Sequence, residues 1–169
     1  VLGSENFKIL LVDDEPDILE IISYTLKSDG YLVYTAENGV KAIELAKKVK
    51  PELIILDVMM PEMDGIEACE IIRNDSEIGN SLIVFLSARG EDYSQIAGFN
   101  AGADDYITKP IKPKVLKSKI KSLLRRINKE DGDLIKLGSL IIDRSGYKVT
   151  LSGKDISLPR KEFELLFLL

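Results

Sequence analysis

Over the first 127 residues, short and almost unbroken apolar runs alternate with stretches of helical periodicity. Phe7-Lys8-Ile9-Leu10-Leu11-Val12 has the length of a strand and stops at two acids. Pro16 then suits the first turn of a helix, Ile18, Leu19, Ile22 and Leu26 recur at helical spacing, and Asp29-Gly30 ends the pattern. Tyr31–Thr35 reads as a strand and Val40–Lys48 as a helix with Val40, Ile43, Leu45 and Ala46 turned inward. Leu53-Ile54-Ile55-Leu56 is the most apolar run and stops at Asp57. The spacing further predicts a helix over Gly65–Arg73, a strand over Ser81–Leu86 and a helix over Tyr93–Ala101. A short strand at Asp105–Ile107 and a long helix over Lys112–Ile127 close this part.

Five strands, each followed by a helix, predict an α/β fold: a five-stranded, doubly wound parallel sheet. Its strands read as solid apolar runs because helices cover both faces. In open sheets of this kind the chemistry gathers at the carboxyl ends of the strands.

The pattern changes after residue 127. Asn128–Asp133 is polar, contains Gly132 and reads as a short flexible linker. Leu134–Asp143 predicts a strand or bent pair, Arg144-Ser145-Gly146 a turn, Tyr147–Leu151 an alternating strand and Ser152-Gly153-Lys154 a second turn. Pro159–Leu169 is amphipathic, and Leu165 to Leu169 is an apolar run that calls for a partner. By periodicity alone these strands fit any small sheet.

Composition narrows the classes. With 169 residues, 45% hydrophobic and 30% charged, the chain has the balance of a globular protein, with length for one full domain and part of another. The single cysteine, Cys69, excludes an internal disulfide framework and fits a reducing compartment. No apolar run approaches the roughly 18 residues needed to span a bilayer. No signal-peptide pattern opens the chain, so a cytoplasmic location is expected and no membrane partner. Val1–Ser4 differ from the rest of the chain and are set aside as a cloning remnant. The net charge of −5 excludes nucleic-acid binding through overall charge; that role would need a dedicated element. Lys109–Arg126 carries lysines and arginines without an acid, as a solvated helix face or an interaction surface does.

Three carboxylates fall at predicted strand ends, Asp13 and Asp14 after the first and Asp57 after the third, with Glu15 adjacent. Like charges this close raise one another's pKa unless a cation shares them. Oxygen ligands suit Mg²⁺. Histidine is absent and Cys69 lies on a helix, which argues against zinc. Ser87 and Lys109 follow the fourth and fifth strands at the same edge. A divalent cation, an ammonium and a hydroxyl around one carboxylate are what phosphoryl transfer to that carboxylate needs, with Asp57 as nucleophile. Taken singly, Asp13 or Asp14 could cap the first helix, Ser87 could be a turn residue and Lys109 a surface lysine; their joint placement favours a site.

The segments ILLVDDEPDI (9–18), LIILDVMMPEMDGIEAC (53–69), IVFLSARGED (83–92) and AGADDYITKPIKP (101–113) resemble the receiver domain of two-component response regulators. The resemblance covers Phe7 to Ile127 and implies a CheY-like, flavodoxin-like receiver over residues 5–127. It implies Asp57 as phospho-acceptor, with Mg²⁺ held by Asp14, Asp57 and the Met59 backbone carbonyl, and Asp13 acting mainly through water. Lys109 is implied to pair with phosphoryl oxygens, Ser87 to be the switch hydroxyl and Tyr106 the aromatic that swings inward. The donor is then a separate sensor histidine kinase, recognised near Ile18, Leu19 and Ile22.

The stretch GADDYITKP narrows the resemblance to the OmpR/PhoB group, whose receivers dimerise through the fourth helix, fifth strand and fifth helix. Residues 134–169 then fit the opening of a winged-helix DNA-binding domain, cut short in its first helix, after a linker at 128–133. Promoter DNA is expected as partner of the full-length protein and not of this fragment, which lacks a recognition helix. The dimer face departs from the family: Gln95 and Val115 stand where a basic residue and a glutamate are common, and Ser118 lies beside Ile96 and Phe99. Asp104 and Asp105 still face Lys119, Arg125 and Arg126, so the lost pair shifts dimer strength rather than abolishing it, and a weak or atypical phosphorylated homodimer is expected. No enzyme activity is expected beyond the receiver's own phosphorylation and dephosphorylation, since a phosphohydrolase would want an acid where Met59 stands. The alternative is a free-standing receiver that acts as a phosphorylation-dependent protein-binding module.

Overall fold

The computed structural model describes residues 7–88, 100–127, 134–143 and 148–166. Strands β1 (Lys8–Val12), β2 (Leu32–Ala36), β3 (Leu53–Asp57), β4 (Leu82–Ser87) and β5 (Asp105–Thr108) form one parallel sheet in the order β2-β1-β3-β4-β5. Helices α1 (Pro16–Ser28), α2 (Gly39–Val49), α3 (Gly65–Arg73) and α4 (Pro113–Arg125) cover it. The expected doubly wound receiver fold is therefore present.

The two-residue period of a strand sorts the core into two layers. Ile9, Leu11, Leu53, Ile55, Val84 and Leu86 face Ile22 and Leu26 of α1 and Leu116 and Ile120 of α4. Leu10, Val12, Ile54, Leu56, Ile83 and Phe85 face Ala42 and Ala46 of α2 and Ala68, Cys69 and Ile72 of α3. Each fully buried aliphatic side chain contributes about 1.5–3 kcal/mol, so both faces must be covered for the sheet to persist.

Local chemistry sets the helix ends. Pro16 opens α1, where a missing N–H costs nothing. Asn38 and Asp64 cap α2 and α3 by accepting from the Lys41 and Glu67 amides at 2.8 Å. Several bounds differ from expectation by a residue: β4 extends to Ser87, and β5 to Thr108. Parallel pairing with a neighbour, which no local pattern reports, carries those strands on.

The remaining described residues fold as a separate unit. Strands β6 (Leu134–Leu137), β7 (Leu140–Asp143), β8 (Lys148–Leu151) and β9 (Lys154–Ile156) make an antiparallel sheet, followed by helix α5 (Arg160–Leu166). The stretch 134–143 is thus a pair of strands, joined at Gly138-Ser139. Ser152 and Gly153 both have positive φ, 52° and 81°, as a two-residue hairpin turn with the right twist requires. Ile142, Val149 and Phe163 form a small core with Leu140 and Leu158. This sheet and helix fit the start of a winged-helix domain.

The helix expected at 93–101 lies outside the described residues except for its last two positions. Gln95, Ile96 and Phe99 lie outside them as well, as do the linker at 128–133, the turn at 144–146, positions 167–169 of the apolar tail and residues 1–4. No described helix is long and apolar enough to cross a membrane.

Candidate functional site

Strands β1, β3, β4 and β5 all end at one edge, and each delivers one part of the site. β1 runs into Asp13, which is fully buried, and Asp14, which is exposed. β3 ends at Asp57, buried to 4% exposure. One carboxylate oxygen from each of these three acids lies within 4.8 Å of the others. β4 ends at Ser87, whose buried hydroxyl has no hydrogen-bond partner among the described residues. Lys109 follows β5 and sends its ammonium to Asp13 Oδ2 at 3.1 Å and Asp57 Oδ1 at 3.5 Å.

The backbone holds these ends together. Lys109 N donates to Ser87 O at 2.7 Å, and Val58 N donates to Leu86 O at 3.1 Å. Gly65 lets the chain after Asp57 fold back tightly: a Cβ there would stand 2.2 Å from the Asp57 carbonyl oxygen. The Gly65 amide instead donates to Val58 O at 2.9 Å. Neither Asp13 nor Asp14 caps α1, whose first turn has no side-chain cap; Asp13 Oδ1 accepts from the Glu15 amide at 2.9 Å. The capping alternative for these acids falls away.

Burial, with the neighbouring charge of Asp13, pushes the Asp57 carboxyl up to about 7; Lys109 and the Met59 amide pull it back only in part. Burial alone would lower the Lys109 pKa, but its bond to Asp13 and the charge of Asp57 outweigh that and raise it. The ammonium therefore stays charged beside a carboxyl that is half protonated near neutrality. Such a cluster has too little positive charge for its acids, and a divalent cation on the exposed Asp14 side would correct this. Asp13, Asp14 and Asp57 could hold it through oxygen alone, as Mg²⁺ requires. Met59 lies at the exposed mouth, two residues beyond Asp57, and its amide points at Asp57 Oδ1 over 3.4 Å.

Tyr106 sits on β5, partly buried against Phe85 and its layer, with the Lys119 ammonium 5.6 Å above its ring. Lys119 also pairs with Asp105 at 3.2 Å, within the same chain. Asp104 departs from expectation. It is almost wholly buried and paired with Arg73 at 2.9 Å and with Arg160 of α5, while Arg126 stands 3.8 Å away. It is thus engaged inside the chain rather than presented to a second copy. Arg73 is fully buried, although the sequence marks it only as the basic end of a helix. A hint lies in Gly102, where a Cβ would meet the Arg73 side chain at 3.0 Å.

Residues 9–121 match the family model described as the response regulator receiver domain. The chain is 36% identical to the DNA-binding response regulator MtrA of Mycolicibacterium smegmatis, over 94% of this chain and 68% of that protein. It is 39% identical to the transcriptional regulatory protein AfsQ1 of Streptomyces coelicolor, over 94% of this chain and 69% of that one. Among solved structures, it resembles the response regulator DrrB, an OmpR/PhoB homologue from Thermotoga maritima. That likeness has 37% identity and a TM-score of 0.63, covering 96% of this chain and 71% of DrrB.

Proposed function

This chain belongs to the response regulators, of the OmpR/PhoB type, and from that membership we propose that Asp57 accepts a phosphoryl group and so controls a DNA-binding output. The observation that carries the site is the Lys109 ammonium 3.5 Å from the buried Asp57 carboxylate, with the buried Ser87 hydroxyl, unpartnered among the described residues, at the end of the neighbouring strand. A buried hydroxyl without a partner costs about 1–3 kcal/mol, which a phosphoryl oxygen on Asp57 would relieve.

In this reading Asp57 attacks phosphorus and the bond to the donor breaks. Lys109 neutralises charge on the transferred group, and Ser87 donates to one of its oxygens. Asp14, Asp57 and the Met59 carbonyl would hold Mg²⁺, with Asp13 acting mainly through water, and the ion would supply the remaining positive charge. Tyr106 then follows Ser87 inward, away from Lys119, and carries the change to the β5–α4 face. The protein turns over no separate substrate.

The donor is a sensor histidine kinase. An apolar groove of about 150 Å³ between α1 and the start of α4, lined by Ile18, Ile22, Pro110 and Leu116, adjoins Lys109 and suits such a partner. Promoter DNA is the partner of the whole regulator, residues 134–169 forming the opening of its winged-helix domain after the receiver at 5–127. The location is cytoplasmic. A homodimer through the β5–α4 face is expected to be weak: Val115 lies exposed where a charge would pair, and Asp104 and Asp105 are occupied within the chain. The free-standing binding module has against it a second folded unit and relatives that carry a DNA-binding role by name.

Acetyl phosphate with Mg²⁺, read by intact mass, tests the acceptor. A gain of about 80 Da, one phosphoryl group, is expected in the wild type and not in Asp57→Asn. An equal gain in both would move the acceptor elsewhere.

A further inference from the structure

The chain has three methionines and one cysteine, and all four follow Asp57 closely: Met59, Met60, Met63 and Cys69. Their surroundings differ. Met59 is 64% exposed. Met60 and Met63 are partly buried and pack on the layer that α2 and α3 cover. Met63 lies against the start of α2, where a Cβ at Gly39 would stand 3.0 Å from its Cγ and Sδ. Cys69 is fully buried on α3, and its Sγ donates to Ala101 O at 3.5 Å.

A two-electron oxidant such as a peroxide must touch sulfur to react, so exposure and, for a thiol, ionisation decide which sulfur is oxidised. Burial pushes the Cys69 thiol up to about 11, so only about one thiol in 10,000 is ionised at pH 7. Met60 and Met63 react only when the structure around them opens. An oxygen on either would also force a polar group into apolar packing. Of the four, Met59 alone can take up an oxygen without disturbing the core.

Met59 is also the sulfur residue nearest Asp57 along the chain, and its backbone is fixed there. Its amide points at Asp57 Oδ1 over 3.4 Å. The loop beyond it is pinned where Met63 N donates to Pro61 O at 2.8 Å and Gly65 N to Val58 O at 2.9 Å. A thioether is uncharged and a weak acceptor, whereas its sulfoxide is polar and carries an oxygen that water seeks. Oxidation would therefore set a hydrated dipole at the exposed mouth of the site. Its oxygen repels an anionic phosphoryl donor, and its water stands closer to a phosphorylated Asp57. Both effects lower the phosphorylated fraction.

We propose that Met59 is a site of reversible oxidation by peroxides, and that its sulfoxide lowers the phosphorylated fraction of Asp57. The second clause rests on the reading of Asp57 as acceptor; the first does not. The sulfur lone pair attacks one peroxide oxygen, and the O–O bond breaks as the S–O bond forms. The departing oxygen takes the proton of the transferred one and leaves as water. Sulfur loses two electrons and the peroxide gains them. The reverse step needs a methionine sulfoxide reductase and two thiols, and yields thioether, disulfide and water.

Brief treatment of the whole chain with hydrogen peroxide, with the oxygen located by tandem mass spectrometry, tests the site. A gain of about 16 Da, one oxygen, should reach Met59 about tenfold faster or more than Met60 and Met63, which wait on local opening. Equal rates, or faster oxidation of Met60, Met63 or Cys69, overturn the site. The singly oxidised chain is then given acetyl phosphate and Mg²⁺. Its ratio of phosphorylated to free chain at steady state should fall about fivefold, equivalent to ~1 kcal/mol. Prior reduction by methionine sulfoxide reductase with dithiothreitol should restore it. Met59→Leu keeps an apolar side chain of similar volume without the sulfur, and is compared with its own untreated sample. An equal fall after peroxide in that variant traces the effect elsewhere and overturns the second clause. An unchanged ratio in chain carrying the Met59 sulfoxide also overturns that clause and leaves the oxidation site standing. No phosphoryl gain in the untreated wild type defeats the acceptor reading and the second clause with it, while the position of the oxygen still decides the first.

Discussion

Lys109 reaches Asp13 at 3.1 Å, nearer than its 3.5 Å approach to Asp57. The lysine thus holds most firmly the acid that does not react. Asp13 is fully buried, so it depends on that ammonium, while Asp57 receives only part of the compensation it needs.

Lys109→Ala should therefore destabilise the fold as well as slow phosphorylation. Removing the cation from a buried carboxylate costs about 1–3 kcal/mol, more where the charge stays unshared. Urea unfolding at pH 7.5 without divalent ions measures it. An unchanged midpoint would mean that the pairing with Asp13 contributes nothing.

Asp57 gives stability a pH dependence of definite sign. Its folded pKa of about 7 lies above the ordinary carboxylate value, so the proton is bound more tightly in the folded state. Its favourable contribution is complete below about pH 4 and is lost as pH rises through 7. Asp57→Asn escapes that loss. Without Mg²⁺ the variant should melt above the wild type at pH 8, by about 2–4 °C for each kcal/mol, and match it near pH 4. Equal differences at both pH values would contradict the raised pKa.

Mg²⁺ should raise the melting temperature at pH 8 and less so at pH 6, because the ion competes with the proton on Asp57. At a hundred times its dissociation constant the gain is about 2.7 kcal/mol. Asp14→Asn, at an exposed position, should lose most of that gain while leaving the metal-free stability nearly unchanged. Thermal scans with Mg²⁺ and with chelator would show it; a full Mg²⁺ response in Asp14→Asn would exclude this acid as a ligand.

Gly65→Ala should damage the site from behind. Its Cβ would collide with the Asp57 carbonyl, and a displaced backbone costs about 1–3 kcal/mol or more. Circular dichroism melts and acetyl phosphate labelling should both fall. A variant with wild-type labelling would show that the turn has room the distance does not suggest.

The parallel sheet is legible in the sequence because residues 9–12, 53–56 and 82–86 are apolar throughout, which only two-sided burial explains. Asp13, Asp57, Ser87 and Lys109 are legible because each lies at or just beyond the end of a strand run. Arg73 is not: at the end of an amphipathic helix a basic residue normally faces water, and its burial depends on carbonyls from Gly79, Ser81 and Gly102. Asp104 is hidden for the same reason. Its partners come from α3 and α5, far away along the chain, and no local pattern announces them.

In a chain of 169 residues without a histidine, the raised carboxyls among the described residues are those of Asp57 and, by burial, Glu52. Apart from the α-amino group, no side chain here belongs to a type that ordinarily titrates between pH 5 and 8. Against so quiet a background, one carboxyl becomes countable. Near pH 7, Mg²⁺ arriving at Asp57 should expel roughly half a proton per chain, and an indicator dye in weak buffer would report the ion's occupancy without any label on the protein.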